Sequence, residues 1–88
     1  MQSKNKSAPT SADRHHIATI KAMNCIVCDD SAPSEAHEPE QGMWWISIPL
    51  CSACHRGSGG WHGTRDRWKN HKMTELKAIN ETIGRILG

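Results

Sequence analysis

Cys25-Ile-Val-Cys28 and Cys51-Ser-Ala-Cys54 are the two stretches that decide the fold. Each places two thiols three positions apart, which is the spacing that wraps one face of a tetrahedral Zn²⁺. The 22 residues between the two knuckles exceed the usual interval of about 15–20 residues and indicate an insert. Two disulfides, or redox chemistry at a C-x-x-C motif, are the alternatives. The pattern favours a structural zinc ion held by four ligands, Cys25, Cys28, Cys51 and Cys54.

The composition explains why such a staple is needed. The chain has 88 residues, of which 36% are hydrophobic, compared with about 45–50% in globular proteins. All four aromatic residues are Trp. An apolar core this small rarely folds unaided, so metal binding is expected to supply most of the folding free energy. The length favours one domain and argues against an enzyme built on a large core.

Charge and hydropathy indicate a cytoplasmic protein that does not enter the membrane. No apolar run is long enough to span a bilayer, and the N-terminal residues lack the apolar segment of a secretory signal. Residues 25–54 contain five carboxylates and no Lys or Arg, whereas both flanks are basic. Such segregation is typical of a metal site beside a phosphate-binding surface, although solvated surface charge is the simpler interpretation.

Local patterns predict a disordered basic tail over residues 1–10 and a single domain over residues 11–88. Within the domain they predict a helix over residues 12–23 capped by Ser11, and strands over residues 36–39 and 44–48. A last helix is predicted over residues 74–87, with Thr74 as its cap. Its buried stripe is expected to contain Leu76, Ile79, Ile83, Ile86 and Leu87.

A closed four-thiolate shell has no open coordination position, so any chemistry must come from other residues. His37 lies in the insert between the knuckles, His55 directly follows the last cysteine, and His62 follows a glycine-rich loop. Three imidazoles on one ordered scaffold can bind a second divalent ion and leave positions for water. Scattered polar histidines are the alternative.

Two segments resemble the HNH endonuclease family: Ser34-Glu-Ala-His37, and Ile48-Pro-Leu-Cys-Ser-Ala-Cys-His55. The longer run that continues through Trp61-His-Gly, Arg65 and Trp68 is similar to a phage-encoded branch of RecA-dependent, recombination-enhancing nucleases. The resemblance extends over residues 15–87. It implies a small α+β fold, with a zinc-stabilised ββα-metal core and flanking N- and C-terminal helices.

The resemblance also implies metal-assisted hydrolysis of a DNA phosphodiester. His37 and His55 match metal ligands, with Mg²⁺, Mn²⁺ or Zn²⁺ as the second ion, and His62 is a third candidate. Glu38 stands where most relatives have the catalytic His, and Ile46 occupies the asparagine position. Three alternatives follow. Glu38 is the general base, His37 takes that role with other ligands, or the chain is a zinc-stabilised module that binds nucleic acid without cleaving it.

The expected partner is DNA, double- or single-stranded, together with a recombination protein. Phosphate contacts are expected from basic residues that follow the second knuckle. Trp61 and Trp68 fall in the same run, where they can stack on unpaired bases. The alternative is that Trp68, like Trp44, belongs to the core. The predicted nucleic-acid contacts are Arg56, Arg65, Arg67, Lys69 and Lys72.

Overall fold

A computed structural model of the chain describes residues 8–88, so most of the predicted disordered tail lies outside the described residues. The described part is a small α+β fold, as predicted, with one two-stranded sheet and four α-helices. Among these residues, no helix is long and apolar enough to cross a bilayer. The elements are α1 (Ser11–Lys21), β1 (Glu35–His37), a 3-10 turn (Trp44–Ile46), β2 (Ile48–Leu50), α2 (Ser52–His55), α3 (Asp66–Asn70) and α4 (Glu75–Leu87).

Helix α1 begins with a reciprocal cap. The Thr10 hydroxyl accepts the Asp13 backbone N–H at 3.1 Å, and the Asp13 carboxylate accepts the Thr10 N–H at 2.8 Å. The prediction of Ser11 as the cap was therefore wrong by one residue. Thr10 takes the position because its side chain has an acidic partner three residues later, which is the capping-box arrangement.

The first strand covers Glu35–His37 and not residues 36–39, and the second strand differs more from its prediction. Residues Trp44–Ile46 form a 3-10 turn, and β2 instead runs through Pro49, which pairs with Ala36 in an antiparallel register. Proline is tolerated because both strands of a two-stranded sheet are edge strands, where a missing N–H need not break the ladder. The Pro49 carbonyl accepts the Ile26 N–H at 2.9 Å, so β2 is joined directly to the first knuckle.

The core packs around the cysteines. Cys25 and Cys54 are fully buried, and the cluster around them contains Ile26, Val27, Ile48, Leu50, Trp68 and Ala78. Trp68 is 2% exposed, and its indole N–H donates to the Cys54 carbonyl at 2.8 Å. This places Trp68 in the core and fastens α3 to the second knuckle.

Helix α4 is capped by Thr74 as predicted, but its buried face is not the predicted one. Ala78 and Thr82 are buried, whereas Leu76 is 78% and Leu87 82% exposed. Helix α4 is turned about its axis so that Ala78 and Thr82 pack inward and Glu75 contacts His37. This rotation carries most of the apolar stripe to the edge of the interface or into solvent.

Candidate metal centres

The four cysteines lie together, with their sulfur atoms all within 4.8 Å of one another. Cys28 Sγ and Cys51 Sγ are 3.7 Å apart, and all four cysteines are free. A disulfide requires about 2.0 Å between sulfurs. Four thiolates placed tetrahedrally at about 2.3 Å from a zinc ion stand about 3.8 Å apart. The cluster therefore fits a metal ion and not a pair of disulfides.

Backbone hydrogen bonds give each knuckle its shape. In the first knuckle the Asp29 N–H donates to the Cys25 carbonyl at 2.9 Å, and Asp29 adopts a left-handed conformation with φ of 64°. In the second knuckle Cys51 is the N-cap of α2, and its sulfur accepts the Cys54 N–H at 3.4 Å. The local backbone, and not only a bound ion, brings each pair of sulfurs together.

Burial shifts the pKa values of the cysteine thiols. It raises the pKa of Cys54 and, to a smaller extent, that of Cys51. At Cys28 burial also acts upward, but a hydrogen bond from the Asp30 backbone and bonds among the thiols lower the pKa overall. Metal binding must therefore displace protons from the more buried thiols, which makes the affinity dependent on pH.

The three predicted histidines form a second cluster. His37 lies on β1, His55 ends α2, and His62 lies in the following loop, with one nitrogen from each ring within 4.8 Å of the others. His37 is buried, His55 half-buried and His62 exposed. The remaining histidines stay outside the cluster: His15 and His71 are exposed, and His16 stacks on Trp45 at 4.5 Å.

Glycines bring His62 back to the cluster. The Trp61 N–H donates to the Cys54 carbonyl, and the His62 N–H donates to the His55 carbonyl at 3.1 Å, so the loop folds over α2. A Cβ atom on Gly57 or on Gly60 would lie 2.7 Å from the Ala53 carbonyl oxygen. Only glycine allows so close an approach of the two backbones.

Two carboxylates fix which histidine nitrogens face each other. Glu75 accepts a hydrogen bond from His37 Nε2 at 2.8 Å, and Glu35 accepts one from His55 Nδ1 at 2.7 Å. His37 Nδ1 and His55 Nε2 are then turned toward each other, 3.3 Å apart. When both rings are neutral with these tautomers, both of these atoms carry lone pairs, so their close approach requires either a proton shared between them or a bound cation.

A metal ion fits between these two nitrogens. Burial lowers the pKa of His37 despite the opposing hydrogen bond to Glu75, which favours the neutral ring that a metal needs. Two imidazole nitrogens at about 2.0–2.1 Å from a tetrahedral ion stand about 3.3–3.4 Å apart. A donor set of three imidazoles suits a transition-metal ion such as Zn²⁺ better than Mg²⁺, which prefers oxygen ligands.

Sequence reasoning missed both orienting carboxylates. Glu35 precedes His37 by two residues and therefore shares its face of the strand, a signal that was present in the sequence. Glu75 is 38 residues from His37 and meets it only through the tertiary fold. Arg56 donates two hydrogen bonds to the Glu35 carboxylate, from a terminal amino nitrogen at 2.6 Å and from Nε at 3.1 Å. These bonds, followed by the one from His55, lower the pKa of Glu35.

The predicted nucleic-acid residues fall into two groups: three arginines whose side chains have partners in the described fold, and two exposed lysines. Arg56 is bound to Glu35, and Arg67 donates from Nε to Cys54 Sγ at 3.3 Å. The Arg65 guanidinium lies 3.6 Å over the Trp61 ring and donates from Nε to the Trp61 carbonyl. Within residues 8–88, Lys69 and Lys72 are exposed and their side chains make no hydrogen bond.

Glu38 lies outside the histidine cluster. Its carboxylate accepts the Gly42 N–H at 2.9 Å and so stabilises the turn after β1. Ile46, at the position of the family asparagine, is half-buried in the 3-10 turn and has no polar side-chain group. The role of Glu38 as general base stays a prediction.

Comparisons of the chain with known protein families, with curated proteins and with solved structures found no match. The functional assignment therefore depends on the chemistry of the two clusters.

Proposed function

We propose that the chain is a metal-dependent DNA endonuclease of the HNH, or ββα-metal, type, with zinc at the four cysteines as its structural ion. The observation that carries the proposal is the pair of facing histidine nitrogens, 3.3 Å apart, each ring oriented by its own carboxylate. The order of β1, β2 and α2, with one histidine on the first strand and one at the helix end, is the order expected of a ββα-metal core.

Each residue of the histidine cluster has a defined part in the proposed reaction. His37 and His55 would hold a divalent ion, and that ion would supply Lewis-acid stabilisation of the scissile phosphate and the leaving 3′-oxygen. His62 is the most exposed of the three and would supply the third imidazole ligand. Glu35 and Glu75 keep the coordinating nitrogens turned inward, which is the usual function of carboxylates behind metal-binding histidines.

DNA would be held by the basic residues beside this cluster. The Arg65 guanidinium is held in place by Trp61 and keeps its two terminal amino groups for a phosphate, which Arg can bind in bidentate fashion. Lys69 and Lys72 add exposed charge near α3. Contacts of this kind give affinity without sequence readout, so little sequence specificity is expected. A recombination protein as partner remains a prediction from the resemblance.

Plasmid nicking tests the proposal. The zinc-loaded chain is incubated with supercoiled plasmid and with single-stranded circles under Mg²⁺, Mn²⁺, Co²⁺ or added Zn²⁺. Cleavage is expected from wild type and from His71→Ala, which changes an exposed histidine outside the cluster. His55→Ala is expected to bind DNA and leave it intact.

Two results would overturn the nuclease proposal: no cleavage under any of these ions, or equal cleavage by His55→Ala. DNA binding without cleavage would favour the alternative of a zinc-stabilised nucleic-acid-binding module. The specific observations behind that alternative are the engagement of Glu38 with Gly42 and the apolar Ile46.

A further inference from the structure

We propose that Arg67 is part of the cysteine site, where its guanidinium offsets the negative charge of metal-bound thiolates, and that it is not a nucleic-acid contact. The role requires a divalent ion at the cysteines, as proposed above, and nothing at the histidines. Arg67 was predicted to contact DNA because it lies in a basic run of the sequence, and the proposal gives it a different role.

Arg67 is held toward the cysteines along its whole length. Its backbone N–H donates to the Gly59 carbonyl at 3.0 Å, and its side-chain stem lies so close to Gly59 that a Cβ there would be 3.2 Å from Arg67 Cγ. Its Nε then donates to Cys54 Sγ at 3.3 Å. Cys54 is fully buried, so the guanidinium reaches a sulfur that solvent does not.

The cysteine site needs a cation of this kind. Four thiolates around one divalent ion carry a net charge of −2, and the adjoining Asp30 adds further negative charge, whereas Asp29 is paired with Arg85 at 3.9 Å. Among residues 8–88, Arg67 is the one cationic side chain with a hydrogen bond to a cysteine sulfur. An arginine guanidinium stays protonated throughout the accessible pH range, so this positive charge is always present beside the sulfur.

A second bond makes Arg67 replaceable without loss of the fold. The next residue, Trp68, is buried and donates from its indole nitrogen to the Cys54 carbonyl at 2.8 Å. Helix α3 therefore stays attached to the second knuckle when the Arg67 guanidinium is removed. The effect of such a change should appear in the metal site and not in the helix.

Zinc affinity tests the role. The metal-free full chain is titrated with Zn²⁺ in competition with a chromophoric chelator, for wild type, Arg67→Gln, Arg67→Lys and Lys69→Gln. Lys69→Gln is the matched control, because it removes one positive charge from the same helix at an exposed position with no side-chain hydrogen bond. Arg67→Gln is expected to bind zinc about 10–100-fold more weakly, as is typical for loss of an outer-shell partner. It should also release zinc faster when the thiols are alkylated.

Arg67→Lys should restore most of the affinity, because the charge is kept beside the sulfur. Equal zinc binding by Arg67→Gln and Lys69→Gln would overturn the proposal, as would equal losses in Arg67→Gln and Arg67→Lys. If the chain binds DNA, Lys69→Gln should reduce the salt dependence of binding by about one ion equivalent and Arg67→Gln should leave it unchanged. A reduction in Arg67→Gln would return Arg67 to the DNA surface. Failure to bind DNA would refute the proposed function alone, because the zinc titration does not involve DNA.

Discussion

Glu75 offers the sharpest test of the histidine cluster, because it belongs to α4 and has no other connection with the proposed chemistry. Its carboxylate accepts the His37 Nε2 proton at 2.8 Å, and His37 is 5% exposed. In Glu75→Ala the ring loses the partner that fixes its tautomer, and a buried N–H is left unpaired. His37 Nδ1 is then no longer held as a lone-pair donor toward His55.

Glu75→Ala is expected to lower both the affinity for the second ion and the free energy of unfolding, and the two losses can be compared. Removal of an outer-shell carboxylate typically weakens metal binding by about 10–100-fold, which corresponds to about 1.4–2.8 kcal/mol. Glu75 also lies in the first turn of α4, where an acidic residue adds about 0.3–1 kcal/mol to helix stability. The unpaired His37 N–H costs about 1–3 kcal/mol more. The loss of folding stability should therefore be about as large as the loss of metal affinity, so binding of the second ion is compared on chains already folded with zinc.

Titration with Co²⁺ measures the affinity of the histidine cluster for the second ion. The cysteines are first filled with Zn²⁺, and Co²⁺ is then titrated while its visible absorption and binding heat are followed. Glu81→Ala is the matched control, since Glu81 lies on the same helix and, within residues 8–88, makes no side-chain hydrogen bond. If Glu75→Ala binds the second ion as tightly as Glu81→Ala, then His37 is not oriented through Glu75 and the reasoning fails.

Three further predictions concern folding and the base. Cys54→Ser should show no cooperative thermal transition by circular dichroism even with excess zinc, because zinc-finger sites contribute about 10–16 kcal/mol; a sharp transition would contradict it. Gly60→Ala should lower stability by about 1–3 kcal/mol through overlap with the Ala53 carbonyl, whereas Gly84→Ala, with open space around it, should raise stability by about 0.5–1 kcal/mol. Chemical denaturation measures both, and equal effects would refute the steric argument. Glu38→Ala should retain cleavage, because its carboxylate is bound to Gly42; lost cleavage with the second ion retained would make Glu38 the base.

The sequence predicted the parts of the fold that depend on neighbouring residues. Thiols three positions apart belong to one knuckle, and two knuckles imply one shared ion, so the cysteine cluster followed from spacing alone. His62 folds back to His55 because of Gly57 and Gly60, and both glycines can be located in the sequence. Thr74 was recognised as a cap because the residues it caps follow it directly.

The parts that were mistaken depend on contacts distant in sequence or on competing local patterns. The alternation from Trp44 onward is typical of a strand, but the chain forms a 3-10 turn and places the strand across Pro49, where the Pro49 carbonyl can accept the Ile26 N–H. Charge alone could not show that Arg67 turns inward to Cys54 while Lys69 stays exposed. The partnership of Glu75 with His37 is set by the rotation of α4, which no local pattern reveals.

The tilted pair of Trp61 and Trp68 has a spectroscopic consequence. Their ring centroids are 4.8 Å apart, and the chain contains no Tyr or Phe, so indoles account for its aromatic absorption in the near ultraviolet. Two indoles at this distance exchange excitation energy and couple their electronic transitions. The Trp68 indole N–H donates to the Cys54 carbonyl, while the Trp61 ring lies edge-on to His37 with 5.9 Å between the ring centroids. The pair is therefore an intrinsic chromophore placed between the cysteine and histidine clusters, and its ellipticity and emission report on both without an added label.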